Sequence, residues 1–168
     1  MKKLLNLVIV LFFATTVFSQ TTDENVVTKI IIVRHAEKAD DGTKNPPLSE
    51  EGNLRAERLS NMFADVKVDQ LYATPLLRTN QTLTPLSKKF GIPIESYEAS
   101  DATFAEQLLQ KSKGKTIVIA GHSNSSPTLV NRLIKKEVYQ KLDESVFSKI
   151  WVLTFKGNEL IDCSLLNY

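Results

Sequence analysis

The chain has 168 residues, with 21 Lys+Arg against 19 Asp+Glu for a formal net charge of +2, 42% hydrophobic residues, two His and one Cys. That length suits one domain able to bury a core without disulfide staples. The near-balanced charge excludes a disordered acidic tail protein and gives no support to nucleic-acid binding, while two His and one Cys are too few for a structural zinc site.

Residues 1–19 read as a signal peptide. Met1-Lys2-Lys3 is a short basic start, Leu4 to Ala14 is apolar apart from Asn6, and Val17 and Ser19 precede a cleavage point before Gln20. The apolar stretch is too short to span a bilayer, which takes about 20 residues, so no stable membrane insertion is expected after cleavage. Cleavage leaves 149 residues and removes two of the 21 cations and no acid, so the mature chain is neutral with 19 of each sign. Export to the periplasm or beyond is the expected localisation. In an oxidising compartment Cys163, within an apolar run, is expected to be a small core side chain.

Residues 20–27 form a polar linker, and 28–168 the folded domain. Lys29-Ile30-Ile31-Ile32-Val33 is β-branched without alternation, as a strand buried on both faces must be. Ser49 to Ala64 is predicted helical, capped by Ser49 with Glu50 and Glu51 at the favourable dipole end and Leu59, Met62 and Phe63 as its apolar stripe. Asp69–Ala73 is a second strand. A helix from Pro75 to Phe90 follows, with Thr74 as its cap and a bend or interruption at Pro85. Residues 92–97 form a short strand. Phe104–Lys111 is a helix with Asp101 as a cap ahead of it, and Thr116–Ala120 is another fully apolar strand. Ser126-Pro127 opens a helix through Ile134, and strands from Lys149 and from Glu159 close the chain as a hairpin. This alternation predicts a three-layer α/β/α domain with a mainly parallel sheet.

The two histidines each follow one of the two most apolar strands. His35 comes after Val33 through Arg34, and His122 after Ala120 through Gly121. Ligands of open α/β sheets bind beyond the carboxyl ends of the strands, so both are predicted at one rim. Arg34 at the mouth of a buried strand requires an anion or an acid to meet it. Arg78 lies one turn into the helix after the second strand, where side chain and dipole both favour an anion. Two arginines and two histidines together describe a site for a tetrahedral dianion such as phosphate.

Arg34-His35-Ala36-Glu37, Thr74-Pro75-Leu76-Leu77-Arg78-Thr79-Asn80-Gln81-Thr82 and Gly121-His122-Ser123 resemble the three motifs of the histidine phosphatase superfamily, which contains the phosphoglycerate mutases. Leu48-Ser49-Glu50-Glu51-Gly52 is similar to its loop-to-helix segment, so the resemblance runs from about Lys29 to about Ile134. It implies a phosphoglycerate mutase-like fold and a phosphatase that needs no metal or cofactor. His35 would attack phosphorus to form a phosphohistidine, and Arg34, Arg78 and His122 would hold the three equatorial oxygens. The attacking nitrogen of His35 must be unprotonated while the other donates a hydrogen bond, with a backbone carbonyl as the expected acceptor.

Where most of the family has Gly, this chain has Ala36, as in the small bacterial phosphohistidine phosphatases. The leaving-group acid follows the third strand in the family, and Glu98 and Asp101 both qualify. Glu37 is expected beside the pocket, orienting Arg34 or Lys38, and Asn124 either reaches the phosphate or caps its helix. The short mature chain leaves little room for a covering insertion, which favours hydrolysis over mutase chemistry. The expected partner is a small or envelope-attached phosphomonoester. Two alternatives remain: a non-catalytic phosphate-binding protein, and a phosphatase of protein phosphohistidine.

Overall fold

The computed structural model describes residues 25–168, so the predicted signal peptide and most of the predicted linker lie outside the described residues. Strand β1 (Val27–Arg34) is followed by α1 (Glu50–Met62), β2 (Gln70–Ala73), α2 (Leu77–Phe90), β3 (Ile94–Ser96), α3 (Phe104–Lys111), β4 (Thr116–Gly121), α4 (Ser125–Ile134), β5 (Lys149–Lys156) and β6 (Glu159–Asn167). The strands form one six-stranded sheet in the order β3-β2-β4-β1-β5-β6. The first four strands of that order are mutually parallel, β5 runs antiparallel to β1, and β6 pairs antiparallel with β5. The sheet is therefore mixed, with β1 central between a parallel and an antiparallel neighbour. No described helix is long and apolar enough to cross a membrane.

The unbroken apolar runs follow from burial on both faces. Ile30 and Ile32 of β1 join Ile117 and Ile119 of β4 in a core under α3 and α4, with Leu108, Leu129 and Leu133 from the helices. Ile31 and Val33 join Val118 and Ala120 on the other face, under α1 and α2, with Leu59, Leu83 and Leu86. Alternate residues of one strand thus serve opposite layers. Each fully buried Ile or Leu contributes about 1.5–3 kcal/mol over an exposed one.

Several predicted boundaries move, each for a local reason. Strand β1 starts at Val27, inside the predicted linker, because Val27 and Thr28 pair with Lys156 and Phe155 of β5. In α1, Ala56, Leu59 and Phe63 face the core and Met62 is exposed, since 100° per residue turns Met62 about 100° away from Phe63. Helix α2 runs through Pro85 without interruption and begins at Leu77 rather than Pro75. Leu83 and Leu86 bury its interior turn against the sheet, which offsets the one backbone hydrogen bond a proline removes. Helix α4 starts at Ser125, one residue early, and Cys163 is half-buried at the edge of the α3/α4-side core.

The start of α1 anchors the loop after β1. Ser49 caps the helix by accepting from the Gly52 N–H at 3.1 Å, and its own N–H donates to the Glu37 carbonyl at 2.9 Å. Gly52 packs so closely on that carbonyl that a Cβ would overlap it. We expect Gly52→Ala to destabilise the fold by about 2–3 kcal/mol, because backbone on both sides must shift. Urea denaturation reads this directly as a lowered midpoint at unchanged slope.

Candidate active site

Sheet register builds the site. Arg34, the last residue of β1, pairs with Gly121, the last of β4, and the His35 N–H donates to the Gly121 carbonyl at 2.8 Å. The next residues along the two parallel strands are therefore the two histidines, whose rings meet edge-on at 5.3 Å between centroids. Gly121 is required there, because a Cβ would lie 2.7–2.9 Å from the hydroxyls of Ser126, Ser125 and Tyr97. On the far side of β4, β2 ends at Ala73, opposite Ala120, so Thr74 and then Arg78 follow onto the same rim.

His35 is buried, and its Nδ1 lies 2.7 Å from the Ala36 carbonyl oxygen. A carbonyl only accepts, so Nδ1 carries the proton and the neutral ring holds its lone pair on Nε2. Burial pushes the His35 pKa down to about 4; Arg78, His122 and Arg34 push the same way, and only the Ala36 hydrogen bond opposes. His122 is likewise lowered to about 4, by burial first and then by Arg78 and Arg34. Both imidazoles are therefore uncharged at neutral pH. Ala36 is fully buried, and its N–H donates to Thr82 Oγ1 of α2 at 2.9 Å, tying the strand exit to that helix.

The two arginines differ. The Arg34 side chain is 2% exposed and is gripped by the segment before β5: Nη1 donates to the Asp143 and Val146 carbonyls, and Nη2 to Glu144, all at 2.8 Å. Phe147 stacks under its guanidinium at 4.1 Å and comes within 5.9 Å of the His35 ring. Of the five N–H donors, Nε–H and one Nη2–H remain, and Nε is buried without a partner. Among the described residues, nothing grips Arg78 in this way. Its Nε is also buried and unpartnered, and burial lowers its pKa with no carboxylate acting on it. A half-buried cation without a counter-ion, beside two neutral imidazoles, is a receptor for an anion.

The remaining candidates scatter. Glu37 does not orient Arg34 or Lys38, nor does its carboxylate stand free to bind substrate. It takes both Nε and Nη2 of Arg55 from α1 at 2.6–2.9 Å, and Arg55 also donates to the Tyr168 carbonyl at 2.8 Å. Burial alone would raise the Glu37 carboxyl, but these hydrogen bonds outweigh it and hold it below the usual range. Asp101 is exposed and accepts from the Thr103 N–H and hydroxyl at 2.8 and 2.7 Å, closing the turn into α3. Glu98 is exposed one turn before it. Both line a cleft of about 300 Å³ with Tyr72, Tyr97 and Phe104, which neither histidine lines. Asn124 occupies the N-cap position of α4 without making the side-chain cap bond. Among the described residues, no group of three or more His, Cys, Asp or Glu is placed to hold a metal ion.

Sequence reasoning missed Glu144, Ser123, Phe147 and Thr74. Ser123 donates to Glu144 at 3.0 Å, so that carboxylate bridges the rim from Arg34 to the turn after His122. Its only sequence signal was the demand that a buried Arg34 find an acid. Thr74, read as a helix cap, instead places its hydroxyl 2.8 Å from His122 Nε2.

Residues 30–100 match the histidine phosphatase superfamily (branch 1). This segment is similar to the histidine phosphatases. No curated protein matches the chain. Among solved structures, the histidine phosphatase fold is shared with the mycobacterial glucosyl-3-phosphoglycerate phosphatase at 14% identity and a TM-score of 0.64, over 84% of this chain and 98% of that one. The protein histidine phosphatase SixA complexed with tungstate is similar at 16% identity and a TM-score of 0.65, over 83% and 96%. The phosphoserine phosphatase of Entamoeba histolytica, in complex with 3-phosphoglyceric acid, is similar at 17% identity and a TM-score of 0.62, over 82% and 96%. At these identities the likeness establishes the fold. The family match covers His35 and Arg78, while His122 lies beyond it.

Proposed function

We propose that the protein is an exported, metal-independent phosphatase that hydrolyses small or envelope-attached phosphomonoesters through a phosphohistidine on His35. The observation that carries this reading is the His35 tautomer. The Ala36 carbonyl holds the proton on Nδ1, so the Nε2 lone pair is ready to attack at neutral pH. Attack forms the Nε2–P bond and breaks the bond from phosphorus to the ester oxygen. The departing alkoxide takes a proton from water, since Glu98 and Asp101 line a cleft that neither histidine lines. Water then attacks phosphorus, the Nε2–P bond breaks with its electrons returning to the ring, and inorganic phosphate leaves. Arg78, the free N–H groups of Arg34, and His122 balance the charge spread over the equatorial oxygens.

Export is supported by the basic-then-apolar residues 1–19. Phosphate chemistry is supported by the phosphatases among the similar folds, and by the tungstate, a tetrahedral oxyanion, bound in one of them. The purified protein is expected to release phosphate from an aryl phosphate in excess chelator. An alkaline quench during turnover is expected to trap phosphate on histidine. Phosphate binding with no turnover and no trapped phosphoenzyme would replace the enzyme reading with a binding protein of the same fold.

A further inference from the structure

The hydrogen bonds behind His122 determine where its proton sits. Thr79 Oγ1 lies 2.8 Å from two carbonyl oxygens, those of Thr74 and Leu76. Carbonyls only accept, so the single Thr79 hydroxyl proton is committed to them, and its oxygen faces Thr74 Oγ1 at 3.1 Å as an acceptor. With the Thr74 proton directed to Thr79, the Thr74 lone pairs face His122 Nε2 at 2.8 Å. Nε2 therefore carries the proton of the neutral ring, and Nδ1 carries the lone pair. Among the described residues nothing hydrogen-bonds that Nδ1. Thr74 and Thr79 are both buried, so the relay has no competing water contact. The two histidines are opposite tautomers: His35 is protonated on Nδ1, His122 on Nε2.

A bare Nδ1 cannot donate to a phosphoryl oxygen. We propose that Thr74, backed by Thr79, is the positioning residue that fixes the His122 tautomer, so that Nδ1 takes a proton from solvent when a phosphoryl oxyanion enters and returns it when phosphate leaves. The consequence for turnover rests on the phosphatase reading above; the tautomer does not. The titratable and charged groups that act on His122 are His35, just after β1, Arg34 at the end of β1 and Arg78 from α2. In the empty site burial and the two arginines keep His122 neutral. A bound dianion opposes both arginines, and the ring then gains its proton.

The test labels the histidines with 15N and reads nitrogen protonation by NMR, in the wild type and in Thr74→Val and Thr74→Ser. The wild type and Thr74→Ser are expected to show His122 protonated on Nε2, and Thr74→Val to lose that preference. Calorimetric titration with inorganic phosphate, in buffers of different ionisation enthalpy, is expected to show proton uptake that falls in Thr74→Val. For an aryl phosphate kcat/KM is expected to fall about tenfold in Thr74→Val, through kcat and with a shifted pH profile, and to return within about threefold in Thr74→Ser. An Nδ1–H tautomer in the wild type overturns the proposal without any variant. So does a Thr74→Val protein with the wild-type tautomer and proton uptake. Failure of the wild type to bind phosphate overturns the phosphatase reading and the uptake step together, while the resting tautomer still decides the role of Thr74.

Discussion

His35→Ala is expected to lower phosphatase turnover about 10⁴-fold or more and to abolish the trapped phosphoenzyme, while leaving the fold intact. Loss of a nucleophile removes the two-step route altogether, so no neighbouring group supplies a partial substitute. The same residue sets the acid limb of the pH profile. In the proposed mechanism His35 attacks only as the free base, and burial holds its pKa at about 4. Turnover should therefore persist well below pH 6.5, the midpoint of an unperturbed histidine, and fall as pH approaches about 4. Stability follows the same linkage. In the unfolded chain the histidines protonate near pH 6.5, whereas in the folded protein both stay neutral down to about pH 4. The unfolded state binds more protons in that window, so the protein loses stability as pH falls from 6.5 toward 4, by at most about 3 kcal/mol per histidine. In His35→Ala the loss should shrink by one histidine's share. Melting curves at pH 7 and pH 5 measure it, and an equal loss in both proteins would mean that His35 is not buried neutral.

Arg78→Ala is expected to lower kcat/KM by about 10²–10³-fold and to weaken inhibition by inorganic phosphate. The magnitude is that of removing one donor from a desolvated oxyanion site. Arg34 cannot compensate, because Asp143, Glu144 and Val146 already hold most of its donors. Arg78→Lys restores charge without the guanidinium fork and should recover only part of the loss. The variant carries a second signature. Arg78 lowers the pKa of both histidines, so its removal should move the acid limb of the profile upward, toward pH 6.5. A fall in rate without that movement would place Arg78 away from the histidines and refute the assembled site.

Much of this was legible in the order of residues. Ile30–Val33 and Thr116–Ala120 declared strands buried on both faces, and the position of each histidine just beyond one of them placed both on one rim. The demand that Arg34 be met by an acid or an anion was also legible, but the identity of Glu144 was not. It lies 110 positions away in a segment with no periodicity, and only the packing of β5 against β1 delivers it. Glu37 shows the same limit at short range. Its partner Arg55 sits 18 residues on, on a helix whose rotation the apolar stripe sets only within about one residue. Thr74-Pro75 shows a different one, because a cap-then-proline signature records local backbone preference. Thr79 instead turns its hydroxyl back onto the Thr74 carbonyl, and the helix opens two residues later than the signature implies.

The central place of β1 also constrains how the protein comes into being. Lys29 pairs with Thr116 on one side, and Ile32 with Trp151 on the other, so the first strand made has both neighbours in the last third of the chain. Until β4 and β5 have been synthesised, Ile30–Val33 stands as an unpaired, apolar edge, the kind of segment that associates with other chains. The export proposed above would suit such a chain, held unfolded until it is across the membrane. High contact order makes that closing step slow, and it brings Arg34, His35 and His122 together in a single event.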